Sequence, residues 1–370
     1  MNRSVPFLDL EATYRELEAE LDAAYMRVMR SGRYLLGEEL EAFESEYAAY
    51  CGAPFCIGVA SGLDALTLSL RALDVGPGDE VIVPSNTYIA TWLAISSVGA
   101  QIVPVEPNGS TYNIDPAACE AAVTHRTKVI LPVHLYGQPA DMAPLAEIAA
   151  RHDLKILSDG AQAHGSKYQG QPVGAFGDVT AWSFYPSKNL GAFADAGAVT
   201  THDAEIAEQL RLLRNYGSAT KYYNEVRGVN SRMDELQAAF LRVKLGRLDE
   251  WNNRRAVTAE SYHAGLQAAD LVLPSVSPDC ESAWHLFVIR HPERDQLGLE
   301  LERAGVATSI HYPVPPFRQK AYAGLQQLGS FPVADLIHRE CLSLPIGPHL
   351  ATSDSDYVIQ EVIRCTATVG

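Results

Sequence analysis

The sequence predicts a doubly wound α/β domain joined to a smaller α+β domain, and three observations carry that prediction. From Pro54 to about residue 200, short apolar runs alternate with helical stretches, the pattern of repeated strand–helix–strand units. The runs are almost continuously apolar, as strands covered on both faces are. After about residue 250 both periods become irregular, and Pro274, Pro278, Pro292, Pro313, Pro315 and Pro316 punctuate the chain.

Taken in order, residues 12–30 predict one amphipathic helix, with Leu17, Leu21, Ala24, Tyr25 and Val28 at helical spacing. Ser31-Gly32 stops it. Arg33-Tyr34-Leu35-Leu36-Gly37 then leads into a second, acidic helix near 38–51; a plain helix–helix turn and a ligand-contacting loop are both open readings. Strands follow near 55–60, 80–83, 101–105, 128–133, 155–158, 179–184 and 197–200. Between them lie helices near 62–73, 88–98, 115–123, 141–152 and 204–213. A long helix around 234–263 bridges the two domains, drawn at 12–250 and 251–370, with the N-terminal helices of 12–50 expected to pack with the small one. No internal repeat or low-complexity linker interrupts the chain.

Bulk composition narrows the function. Of 370 residues, 47% are hydrophobic and 20% charged, as in an ordinary globular protein, and the length suits two cores. Lys+Arg 29 against Asp+Glu 45 leaves a net charge of −16, which argues against nucleic acid or an anionic membrane as partner. Any small anion must therefore be held by local donors. Cys51, Cys56, Cys119, Cys280, Cys341 and Cys365 form no CxxC pair, so neither a metal site nor a disulfide framework is indicated. With no apolar run of signal-peptide or membrane-span type, the expected location is cytoplasmic.

The chemistry centres on Ser183-Phe184-Tyr185-Pro186-Ser187-Lys188-Asn189-Leu190. A lysine directly after an apolar run sits where its ammonium is poorly solvated, which lowers its pKa and makes it a nucleophile toward aldehydes. Alone, this reads as a surface lysine in a turn. Pyridoxal 5'-phosphate (PLP) demands such a lysine, an anion at its pyridinium nitrogen, donors for a phosphate and a flat surface for the ring. Asp159, ending a strand, supplies the carboxylate, although an N-cap is the commoner use of such a residue. Gln162 offers an amide three residues on. Ser61-Gly62-Leu63-Asp64 turns a strand into a helix and exposes backbone N–H groups at the positive end of its dipole, although a tight turn explains one glycine equally well. Ser183 adds a hydroxyl. Tyr88 could stack on the ring or simply fill the core. His164 and His285 read as packing residues.

Together, the order of phosphate cup, aromatic, Asp-x-x-Gln and Ser-x-x-x-x-Lys resembles the nucleotide-sugar aminotransferases, the DegT/DnrJ/StrS family of fold-type I PLP enzymes. The likeness runs over essentially the whole chain. It is carried by Pro6 to Leu10, Ser31 to Tyr34, Ser61 to Leu66, Pro84 to Thr91, Asp159 to Gly165, Ser183 to Leu190, Gly228 to Arg232 and His311-Tyr312-Pro313. It implies an aspartate aminotransferase-like fold with a large mixed, mostly parallel sheet. It also implies Lys188 as the Schiff-base residue, Asp159 at the pyridine nitrogen, Gln162 at the phenolic oxygen and Tyr88 as the stacking ring. Ser183 and the Gly62, Leu63 and Asp64 backbone would hold the phosphate. Family members are homodimers with shared sites, so Asn230 would reach the cofactor phosphate of the neighbouring subunit. Arg33, Tyr34, Lys221, Arg232 and His311 would hold the sugar nucleotide. No metal is implied.

One departure matters: many members read Ser-Gly-Thr in the cup, where this chain has Leu63, so a side-chain hydroxyl is missing there. Gly-Leu-Asp-Ala-Leu and His311-Tyr312-Pro313 look like the subgroup acting on 3-keto sugars. The resemblance thus implies transfer of the amino group of L-glutamate to a dTDP-3-keto-6-deoxyhexose in amino sugar biosynthesis, with Lys188 as leaving group and general base. A 4-keto sugar or cyclitol aminotransferase is the near rival. Lys188 speaks against the related PLP-dependent sugar dehydratases, which carry histidine there, and Lys188, Asp159 and Gln162 together speak against a non-catalytic regulatory homologue.

Overall fold

The computed structural model describes residues 3–324 and 329–369. Its centre is a seven-stranded sheet. Five strands come first: β1 (Phe55–Val59), β2 (Glu80–Pro84), β3 (Gln101–Val105), β4 (Thr127–Ile130) and β5 (Lys155–Asp159). A short hairpin, β6 (Lys167–Tyr168) and β7 (Gln171–Pro172), precedes the last two sheet strands, β8 (Val179–Ser183) and β9 (Gly197–Thr201). The order is β1-β9-β8-β5-β4-β2-β3. Only β9 runs against the rest, so the carboxyl ends of six strands open on one edge, where ligands of such sheets gather.

Each of the seven strands lies where the sequence placed it, except that β4 ends at Ile130 and not at 133. Pro132 has no N–H for the ladder. Pairing resumes as an isolated bridge between Val133 and Asp159.

Helices α1 (Leu10–Glu16), α2 (Glu18–Ser31), α3 (Glu38–Tyr50), α4 (Gly62–Ala72), α5 (Ile89–Ser97), α6 (Pro116–Ala122), α7 (Met142–His152) and α8 (Ala204–Arg214) come from the first part of the chain. The single helix expected over 12–30 is two, broken at Leu17, whose φ of −120° leaves the helical region. Tyr25, assigned to its buried stripe, is 44% exposed. The long helix expected over 234–263 is likewise two, α9 (Glu235–Leu245) and α10 (Leu248–Leu266), separated at Gly246-Arg247. Leu241 and Leu248, on either side of the break, pack with Phe43 and Phe184, while Tyr262 and Leu266, farther along α10, enter a different core.

That second core belongs to the C-terminal part, where β11 (Phe287–Arg290), α11 (Arg294–Arg303), β12 (Cys341–Leu344) and α13 (Thr352–Val369) surround it, while β10 (Cys280–Glu281) pairs with β6 and α12 (Pro332–Glu340) packs on the main sheet's core through Ile337. Val5 pairs with Val306, bringing the segment around Val5 to the second core. The N-terminal helices lie mainly elsewhere. Ala24 and Val28 of α2 pack on Ala239, and Leu40 and Phe43 of α3 pack on Ala238 and Leu241. Leu17 and Leu21 reach Trp251 of α10. No helix among the described residues is long and apolar enough to cross a membrane.

Candidate active site

Asp159 is the last residue of β5 and its carboxylate is buried. Oδ1 accepts the Ala161 N–H at 3.1 Å and Oδ2 the Thr91 hydroxyl at 3.0 Å. Burial pushes the carboxyl pKa up, while these two bonds and the Lys188 ammonium pull it down. Lys188 sits in the turn between β8 and β9, its backbone N–H bonded to Tyr185 O at 2.8 Å. Desolvation lowers its amine to about 8, against the attraction of Asp159, which raises it. At pH 7 roughly a tenth of the amine is thus neutral and nucleophilic, far more than for a solvated lysine.

The cup forms where β1 turns into α4. Ser61 caps the helix, its Oγ accepting the Asp64 N–H at 3.1 Å. Among the described residues no hydrogen bond uses the N–H of Gly62 or Leu63, so both remain for an anion. The ends of β8 and β9 close in: a Cβ on Gly62 would fall 2.5 Å from Ser183 Cβ, and one on Gly197 2.4 Å from Ser61 O. Only glycine permits this approach. The Asp64 carboxylate accepts the Ser231 hydroxyl at 2.7 Å. Leu63 is 36% exposed, and its hydrocarbon side chain has no donor to add.

Tyr88 immediately precedes α5, is half-exposed, and has its ring centroid 5.0 Å from that of Tyr312. Gln162 is buried: its Oε1 accepts the Tyr136 N–H at 2.6 Å and its Nε2 donates to the Tyr312 hydroxyl at 2.9 Å. Its amide therefore already has a phenolic partner within this chain. His311 stacks on Phe7 at 5.7 Å and meets Ser343 Oγ at 2.8 Å through Nδ1. Burial and the nearby Lys188 charge lower it to about 4. His164, caged between Trp182 and Phe184 at 5.5 Å each, is lowered to about 3 for the same reasons. His285 is held down too, and its Nδ1 lies 3.1 Å from Asn189 Oδ1.

The remaining sequence-derived positions lie apart. Arg33 and Tyr34 are exposed on the loop before α3, where Arg33 Nη2 donates to Leu36 O at 2.6 Å. Lys221 lies over the Tyr222 ring on an exposed loop. Asn230 is exposed, its backbone bridging Asn215, and Arg232 donates to Asn215 Oδ1 at 3.1 Å. No recorded contact among the described residues joins any of them to Lys188. Sequence reasoning in turn gave no role to the Thr91 hydroxyl, the Tyr136 N–H or the Tyr312 hydroxyl. Thr91 and Tyr312 fall inside motifs it did quote, so position was visible but partner was not.

A nucleophilic amine beside a buried carboxylate, with a glycine-lined anion cup at the same sheet edge, suits an aldehyde-bearing, phosphorylated pyridine. Lys188, Asp159, Ser183 and the Gly62–Leu63 backbone are the groups that would hold one. This sheet with this site defines a fold-type I transaminase. The chain belongs to the DegT/DnrJ/EryC1/StrS aminotransferase family, whose profile matches residues 15–363. It is 55% identical over 360 residues to the dTDP-3-amino-3,4,6-trideoxy-alpha-D-glucose transaminase of Streptomyces venezuelae, covering 97% of this chain and 95% of that one. Among solved structures, DesV of S. venezuelae superposes with a TM-score of 0.97 at 55% identity, covering 98% of each chain. The Bacillus subtilis protein ntda, whose structure holds PMP as bound cofactor, has a TM-score of 0.92 at 32% identity, covering 98% of this chain and 85% of that one.

Proposed function

We propose that this transaminase uses PLP to move the amino group of L-glutamate onto carbon 3 of a dTDP-linked 3-keto-6-deoxyhexose, working in the cytoplasm as a homodimer. The observation that carries the reading is the Lys188–Asp159 pair at the rim of the sheet beside the cup formed by Gly62, Leu63 and Ser183. The cofactor, when bound, supplies an electron sink and a carrier for nitrogen. The chain supplies the rest. Lys188 would hold the cofactor through its aldehyde and, as a free amine, would move a proton at the substrate carbon. Asp159, held by Thr91 and Ala161, is the carboxylate that would pair with the cofactor's ring nitrogen.

The choice of a 3-keto sugar rests on the S. venezuelae relative, whose name specifies a dTDP-3-amino sugar and which matches this chain nearly end to end. Pairing of two copies would bring Asn230, Lys221 and Arg232, all remote from Lys188 within one chain, toward a partner's cup. The assignment is tested with purified protein and added PLP. A visible absorption band must form, shift on adding glutamate and vanish in Lys188→Ala. A panel of dTDP- and UDP-linked 3-keto and 4-keto sugars with product analysis then identifies the acceptor; amination at carbon 4 would overturn the sugar assignment alone.

A further inference from the structure

A cavity of about 310 Å³ opens between the N-terminal residues Phe7 to Leu10 and α10, lined among others by Phe7, Leu8, Ser187, Arg255, His285 and His311. Its size lies at the lower end of pockets that take small molecules, about 300–1,000 Å³. It adjoins the site, because Ser187 precedes Lys188 and because His285 and His311 both feel the Lys188 charge. No acidic residue lines it. A larger cavity of about 510 Å³, beside α11, shares no residue with this cluster.

Arg255 is the unusual member. It is 3% exposed, yet no carboxylate among the described residues is paired with it. Its Nη1 donates to the carbonyls of Trp284, His285 and Ile346, each at 3.2 Å. That anchors one nitrogen and leaves Nη2 and Nε without a recorded partner. Burial alone lowers its pKa, to about 10, which leaves it cationic at neutral pH. A buried cation with no counter-ion is costly unless a ligand supplies the anion. The fork of a guanidinium matches a carboxylate. His285 and His311, both held neutral, add polarity without competing charge.

We infer that Arg255 binds a carboxylate of the amino donor, placing the donor between the guanidinium and the Lys188 amine. The inference rests on the transaminase reading above. A carboxylate is favoured over the sugar-linked diphosphate because the cavity offers one guanidinium among apolar walls formed by Phe7, Leu8, Leu10, Leu286 and Ile346, too little positive charge for two phosphates.

The test separates the half-reactions. Arg255→Lys and Arg255→Gln in the holoenzyme should raise the KM for glutamate by about 10- to 100-fold, the loss of a charge-assisted fork. The return half-reaction, from aminated cofactor to keto sugar, should stay within about threefold of wild type. Equal losses in both halves, or an unchanged glutamate KM, overturn the inference while leaving the transaminase assignment standing; a wild-type enzyme inert to every amino acid would sink that assignment instead. Should both variants fail to fold, wild-type protein is treated with phenylglyoxal and mapped. Protection of Arg255 by 2-oxoglutarate supports the proposal. Protection by dTDP alone, or an identical yield with and without 2-oxoglutarate, overturns it.

Discussion

The side-chain amide of Gln162 donates to the hydroxyl of Tyr312, 150 residues further along the chain, at 2.9 Å. This bond, with the one from Tyr136 Oη to His311 O, ties the 311–312 segment to the end of the central sheet. Because Gln162 is buried, removing either partner leaves a polar group stranded. Tyr312→Phe and Gln162→Ala should each lower stability by about 1–2 kcal/mol. In urea denaturation the double variant should fall short of the summed losses by about 1 kcal/mol. Strict additivity would show that the bond contributes nothing net.

A second expectation concerns pH. Lys188 must be neutral to attack an aldehyde, and burial brings it to about 8 from the 10.5 of an ordinary lysine. In cofactor-free protein, capture of a small aldehyde at Lys188, trapped with borohydride and mapped, should therefore rise to a plateau with a half-point near pH 8. Exposed lysines should keep rising two units further. Asp159 favours the ammonium, so Asp159→Asn should move the half-point lower; a move upward would reverse the assigned coupling.

Glu235 predicts a stability effect outside the chemistry. Its buried carboxylate accepts the N–H groups of Gly37, Glu39 and Leu40 at 2.7, 2.9 and 3.3 Å, satisfying the start of α3 from the first turn of α9. Negative charge there also complements the helix dipole. Glu235→Gln puts an amide NH2 where acceptors are needed and should cost about 2 kcal/mol. Thermal unfolding should show this as a lower Tm, with faster proteolysis at the loop Arg33–Gly37 than in wild type.

Much of this is legible in the sequence. The strands announced themselves because buried parallel strands are apolar without interruption, and Asp159 and Ser183 could be placed at strand ends, while Lys188 stood out only from the joint order of the motifs. What escaped was set by tertiary contact. Nothing local marks Leu17 as a helix break, since the apolar spacing continues through it and Leu17 and Leu21 pack on the same Trp251; Gly246 is a local cue, but the apolar spacing that continues past it masked the break. Tyr25 keeps helical spacing yet faces outward. Gln162 was read as a donor to a ligand, and its partner within the chain, Tyr312, lies too far along the sequence for spacing to reveal. Arg255 resembles any arginine on a polar helix until three carbonyls from two other segments close around it.

The same desolvation that makes Lys188 reactive should weaken the fold. Its pKa is about 8 in the folded protein and 10.5 when solvated, so between these values the unfolded chain binds more protons and stability rises with pH. Below about 8 the folded protein carries the full handicap of a poorly solvated ammonium. Lys188→Met, similar in length but uncharged, should remove it. The gain at pH 6.5 should be about 2 kcal/mol, less than the shift alone implies at 1.4 kcal/mol per unit, because the side chain keeps some contact with solvent. Asp159 loses an attraction in the variant and returns part of the gain, while its bonds to Thr91 and Ala161 persist. Above pH 9 the advantage should shrink, as the wild-type amine is neutral there. Urea denaturation of cofactor-free wild type and variant at pH 6.5 and 9.5 measures the difference, and a stability gap independent of pH would mean that the Lys188 amine is as well solvated as any surface lysine.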